Sequence, residues 1–67
     1  MMKNTVRIER AIKDFTQEDL AQRIEVSRQT INSIEAGRYN PSTILALKIS
    51  EVFEKSVNEI FTLEEND

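Results

Sequence analysis

The chain has no cysteine and no histidine. Disulfide staples, thiolate zinc sites, histidine metal clusters and the common Ser-His or Cys-His nucleophile pairs are therefore excluded, and no metal or cofactor is expected. An enzyme would have to work with carboxylates, Lys, Arg and the one Tyr. Gly and Pro occur once each, at Gly37 and Pro41, and no low-complexity segment, long linker or internal repeat divides the chain. Long hydrophobic runs are missing too. Nothing approaches the roughly 18 apolar residues of a membrane span, and Met1-Met2-Lys3-Asn4 lacks the apolar region of a signal peptide. A cytoplasmic protein without a membrane partner is expected. At 67 residues the chain reads as one domain spanning 1–67, and folding at about this length buries only about 60% of the extended-chain surface.

An excess of basic residues is also absent. The net charge is −3, which on its face argues against a partner as anionic as DNA. The distribution changes that reading, because residues 51–67 hold six acids and one base, net −5, while residues 1–50 are net +2 with eight bases and six acids. The acidic part is the tail, away in sequence from the basic part. A bias of +2 predicts modest non-specific affinity for a polyanion rather than the strong binding of a basic architectural protein.

What is present is a set of short helices with legible starts. In 5–14, Ile8, Ala11, Ile12 and Phe15 follow the i, i+3, i+4, i+7 spacing, which predicts helix 1 with these residues facing inward and Asn4 or Thr5 as its cap. Thr16-Gln17-Glu18-Asp19 places a capping hydroxyl three residues before a carboxylate and puts two acids where the helix dipole favours them. Helix 2 is expected over 17–24, burying Leu20, Ala21 and Ile24. Glu25 and Val26 leave a very short link to Ser27, so the next helix must cross helix 2 sharply, and the small Ala21 permits the close approach. Ser42 opens helix 4, whose inner face is Leu45, Ala46, Ile49, Val52 and Phe53, with Ile44 and Leu47 broadening the stripe. Ser56 caps a last short helix over 57–61. Residues 2–4 and 61–64 are candidates for a short terminal strand pairing.

Helix 3, expected over 28–36, has two chemically different faces. Ser27 supplies an N-cap hydroxyl, and Gly37 can take the left-handed conformation that ends a helix. At about 100° per residue, Ile31 and Ile34 point one way, whereas Arg28, Gln29, Asn32 and Ser33 occupy an arc of roughly 140° on the other side. That arc holds forked and bidentate hydrogen-bonding groups and no apolar residue, the side-chain types that read base edges in a major groove. A polar helix face taken alone is ordinarily just solvated. The tight turn and the capping of both helices favour a surface that faces nucleic acid.

Two short helices joined by so tight a turn, the second polar outward, make a helix-turn-helix by pattern alone. From Arg10 to about Phe61 the sequence also resembles the Cro/C1-type (Xre-like) helix-turn-helix family of phage and prokaryotic repressors. The likeness is carried by Thr16-Gln17-Glu18-Asp19-Leu20-Ala21, Val26-Ser27-Arg28-Gln29-Thr30-Ile31, Ile34-Glu35-Ala36-Gly37 and Asn40-Pro41-Ser42. It implies an all-α, compact five-helix, lambda-repressor-like domain whose helix 3 enters the major groove of double-stranded DNA. The resemblance assigns base reading to Arg28, Gln29, Asn32 and Ser33, with Arg28 suited to guanine and Gln29 to adenine. It assigns phosphate contacts to Thr16 and Gln17 at the start of helix 2, and to Ser27, Arg38, Tyr39 and Asn40 on the other side. Arg10 and Glu35 resemble the family's ion pair between helix 1 and the recognition helix. Two positions depart from the pattern: Glu25 stands where the family usually has Gly, and Glu9 where it commonly has an apolar residue, for which Ile8 or Ile12 is expected to compensate.

A single such domain reads few base pairs, so a homodimer on a palindromic operator, its two copies about 34 Å apart, is expected. The surplus apolar residues Ile44, Leu47, Val57, Ile60, Phe61 and Leu63 are the interface candidates. The function expected is transcriptional regulation, as a repressor. Two rivals stand beside it: an antitoxin that also neutralises a toxin, and a helix-turn-helix interaction module whose acidic tail meets a basic protein. Hydrolysis by Glu18 and Asp19 is disfavoured, because neighbouring helix positions point apart.

Overall fold

The computed structural model describes residues 2–67. In chain order they form β1 (Lys3–Asn4), α1 (Val6–Lys13), α2 (Gln17–Ile24), α3 (Arg28–Glu35), α4 (Thr43–Phe53), α5 (Val57–Ile60) and β2 (Phe61–Thr62). Four helices start on a side-chain cap. The hydroxyls of Thr16, Ser27, Ser42 and Ser56 accept from the backbone N–H three residues on, at 3.0, 3.2, 3.1 and 3.3 Å. Asp19 and Glu59 return the bond to the backbone N–H of Thr16 and Ser56, each at 2.9 Å, which completes a capping box on α2 and on α5. Helix α1 starts differently: Thr5 makes no capping bond, and Asn4 Oδ1 accepts from the Val6 N–H at 3.1 Å instead.

Helices α1 to α4 all end by one closure. A residue in the left-handed region, namely Asp14, Glu25, Gly37 and Glu54 in turn, donates its N–H three residues back, and its successor donates five residues back. This is the pattern that satisfies the last carbonyls of a helix. Only Gly37 takes that conformation without a Cβ penalty; at the other three the φ of 56° to 61° is strained for a side-chain-bearing residue. Glu25 therefore performs the turn that the family gives to Gly, at an energetic cost.

The core is one cluster. Leu20, Ala21 and Ile24 of α2 meet Ile31 and Ile34 of α3, and Leu45, Ile49 and Phe53 of α4 close over them with Val6, Ile60 and Phe61. The central position of α4 follows from its broad apolar stripe, half-buried at Ala46 and Val52. Val26, in the link between α2 and α3, packs against the same cluster.

Helix α1 faces the other way from the i, i+3, i+4 reading. Ile8 and Ile12 are 59% and 66% exposed, Ala11 is exposed and Phe15 is half-buried, whereas the residues buried on α1 are Val6 and Glu9. The reason is a charge partner distant in sequence: Lys55 Nζ reaches Glu9 Oε2 at 3.0 Å, 46 residues along the chain. The α4–α5 link places that lysine, since its N–H and C=O are both bound to Ser50. Glu9 thus occupies the inward position itself, and neither Ile8 nor Ile12 substitutes for it.

The terminal segments pair as an antiparallel two-stranded sheet, with Lys3 opposite Thr62 and Asn4 opposite Phe61. The last helix stops at Ile60, so Phe61 belongs to this sheet and not to α5. Among the described residues, no helix is long and apolar enough to cross a membrane.

Candidate nucleic-acid interface

Helix α3 lays its apolar side on the core through Ile31 and Ile34, which leaves Arg28, Gln29 and Asn32 exposed and Ser33 half-buried on the opposite side. Its C-terminal end is held by the Gly37 closure and by Asn4 Nδ2, which donates to the Ile34 carbonyl at 2.9 Å. A helix pinned at both ends presents its polar face as a fixed template.

The pin at its side is the carboxylate of Glu35, whose side chain is 1% exposed. Arg10 binds it in a fork, Nε to Oε2 at 2.6 Å and Nη2 to Oε1 at 3.1 Å, and uses Nη1 to hold the Phe15 carbonyl at 2.9 Å. Gln17 Nε2 adds a bond to Oε1 at 3.1 Å. Burial pushes the Glu35 carboxyl up, but its hydrogen bonds to Arg10 and Gln17 and the nearby arginine charges outweigh that and leave it below the ordinary glutamate range. One carboxylate therefore ties α1, the start of α2 and the end of α3 together, and it carries no uncompensated charge toward the interface.

Gln17 has a second bond, from Nε2 to Asn32 Oδ1 at 3.4 Å. Both donors of its amide are then committed inside the protein. What the start of α2 offers to an anion is backbone: the capping box takes the N–H groups of Thr16 and Asp19 and leaves those of Gln17 and Glu18, together with the Thr16 hydroxyl proton. The same bond orients Asn32, whose carbonyl oxygen is turned to Gln17 so that its NH2 group is the one presented outward.

Two hollows flank the polar face. One is lined by Arg10, Asp14, Phe15, Thr16, Gln17, Glu18 and Arg28. The other is lined by Ser27, Gln29, Thr30, Ser33, Arg38 and Tyr39. The second brings Ser27, Arg38 and Tyr39 beside the polar face of α3; Asn40, exposed in the same loop, is not among the residues lining it. It also contains Thr30, which the sequence reading passed over. Thr30 Oγ1 lies 3.0 Å from Ser27 Oγ, and the signal was available in the spacing, because Ser27 as N-cap brings the residue at the third helical position under its hydroxyl.

The acidic tail is less remote than its place in the sequence suggests. Glu64 lines a hollow with Lys3, Asn4, Ala36 and Gly37 at the end of α3. The β1–β2 pairing brings it there. Of the apolar interface candidates, Ile60 and Phe61 are core residues and Val57 is half-buried against the core, while Ile44, Leu47 and Leu63 are exposed. Ile60 is therefore out of reach of a second chain, while Phe61, though part of the core, also lines a hollow with Val57 and Leu63.

Comparison with known proteins agrees with this geometry. A model of the helix-turn-helix family matches residues 6–60. The chain is 47% identical over 66 residues to an uncharacterized HTH-type transcriptional regulator of Methanocaldococcus jannaschii, covering 98% of this chain and 100% of that one. It is 44% identical over 66 residues to another such regulator from Bacillus subtilis, with the same coverage of 98% and 100%. Among solved structures it is similar to the restriction-modification controller protein C.AhdI from Aeromonas hydrophila, with a TM-score of 0.74 and 28% identity over 81% of this chain and 82% of that one.

Proposed function

Because the chain belongs to the Cro/C1-type helix-turn-helix family of transcriptional regulators, we propose that it is a repressor that binds a palindromic operator as a homodimer, with α3 in the major groove. Arg28, Gln29, Asn32 and Ser33 read base edges. Arg28 is matched to guanine O6 and N7, and Gln29 to adenine N6 and N7; Asn32, with its NH2 outward, is a donor to base acceptors. The backbone at the start of α2, the Thr16 hydroxyl, and Ser27, Arg38, Tyr39 and Asn40 hold phosphates on the two sides and fix register without reading sequence. The observation that carries this reading is the polar face of α3 between two hollows lined with donors.

The second copy packs through the exposed Ile44 and Leu47 or through the exposed Leu63 with the half-buried Val57, the apolar candidates that are not fully buried. Two copies so joined would present their reading helices to successive major grooves on one face of the duplex.

The test is selection of a preferred duplex from a random library, followed by a salt titration of its affinity. A palindromic preferred site, and an affinity that falls with salt by about 0.9 logarithmic units per phosphate contacted, support the proposal. No binding at low salt rejects it and leaves the protein-interaction reading, while operator binding together with capture of a toxin selects the antitoxin reading. Sedimentation that gives only monomer at micromolar concentration, with and without operator, rejects the dimer.

A further inference from the structure

The buried carboxylate of Glu35 faces two guanidinium groups, and only one of them is compensated. Arg10 holds it in the fork described above. Arg7, one turn earlier on α1, stands with Nε 3.7 Å from Glu35 Oε1, too far for a hydrogen bond, and its side chain is 78% exposed. Oε1 already accepts from Arg10 and Gln17. A single negative charge is spent on the bidentate partner, so Arg7 carries its charge and its donors to the surface.

Its position gives that charge a use. Arg7 and Gln17 approach the same oxygen, which sets the guanidinium beside the start of α2, and Gln17 in turn touches Asn32 on the polar face of α3. This flank is short of free cations. Arg10 is committed to Glu35, Arg28 in the adjoining hollow is the residue assigned to base reading, and Asp14 and Glu18 line that same hollow, whereas the hollow on the opposite flank contains Arg38 and no acid. With Arg28 turned to the bases, a phosphate arriving at the α2 N-terminus meets two carboxylates unless a further cation offsets them.

We propose that Arg7 is that cation, a phosphate-binding residue on the α2 side of the interface. It is positioned by Coulomb attraction to the buried Glu35 and not by a hydrogen bond, so its donors stay available to the backbone of the duplex. The inference rests on the DNA-binding reading above. It assigns Arg7 no base, so its contribution is the same for every sequence.

The experiment compares wild type, Arg7→Ala, Arg7→Lys and Arg28→Ala in salt titrations on two fluorescent duplexes, one random and one selected by wild type. Arg7→Ala is expected to lower the slope of log affinity against log salt by about 0.9 on both duplexes and to leave the preferred sequence unchanged. Arg7→Lys retains the slope because it retains the charge. Arg28→Ala changes the preferred sequence, which separates reading from gripping. An Arg7→Ala protein with the wild-type slope on both duplexes overturns the assignment, whether or not its melting temperature has moved. Wild type without salt-dependent binding fails the DNA-binding reading itself, and the assignment of Arg7 falls with it.

Discussion

Helices α1 and α3 are both eight residues long, and each buries two of them, yet they are fixed by opposite means. Helix α3 buries Ile31 and Ile34 along its length and turns Arg28 outward, so apolar contact sets its facing, with the one buried charge, Glu35, at its last residue. Helix α1 buries Val6 and Glu9 and leaves two isoleucines in solvent, and it is held by ion pairs: Glu9 to Lys55, Arg10 to Glu35, and Lys13 to Glu54. A reading helix must present the same polar groups each time it meets a groove, and an apolar inner face secures that. A supporting helix can be oriented by charges, provided that each inward charge meets a partner. The two modes join at Glu35, where the end of α3 receives the guanidinium of α1.

That contrast can be broken from either side. The largest effect is expected at the junction and in the inner face of α3. Glu35→Ala leaves Arg10 with no carboxylate and should cost roughly 3–5 kcal/mol in urea unfolding, and Ile31→Ala should cost roughly 2–5 kcal/mol. A loss below about 1 kcal/mol in either variant would mean that α3 is not pinned as described. Conversely, Glu9→Leu frees the half-exposed Lys55 to water and fills the inward position of α1 with an apolar side chain. Its stability should stay within about 1 kcal/mol of wild type or rise, because a well-packed apolar replacement often matches a buried ion pair.

At the interface, Arg28→Ala should weaken binding to the selected operator by about 1–3 kcal/mol and relax the base preference, while Arg38→Ala weakens all duplexes alike. Equal losses on operator and random DNA for Arg28→Ala would remove α3 from the reading role. Smaller still is the turn between α2 and α3: Glu25→Gly relieves a left-handed residue and should raise unfolding free energy by up to about 1 kcal/mol, seen as a rise in melting temperature. The smallest effect belongs to the outer side of α1, where Ile12→Ala should change stability by less than about 0.5 kcal/mol.

Acid sharpens the same junction. The folded-state pKa of Glu35 lies below its unfolded value, so the unfolded chain takes up the proton first as pH falls. The stabilisation is fully present above the unfolded glutamate range and is lost as pH drops through the lower, folded value. Glu35→Gln should therefore be less stable than wild type at neutral pH and show a flatter loss of stability on acidification, measured by unfolding at a series of pH values.

What the sequence determined by itself was whatever is decided within about four residues. The caps at Thr16, Ser27, Ser42 and Ser56, the stop at Gly37 and the polar arc of α3 are all short-range, because a capping bond and a helix face depend only on near neighbours and a fixed rotation per residue. The likeness to a known family added the link between Arg10 and Glu35, which spacing does not disclose. Tertiary structure decided the rest. Glu9 lies inward because a lysine 46 residues away meets it, and Ile60 and Phe61 are core because α5 packs on α4 and the terminal strands pair beside it, which carries both into the one cluster. Periodicity gives the angle between side chains but not the identity of what each will face, and a buried charge is decided by its partner.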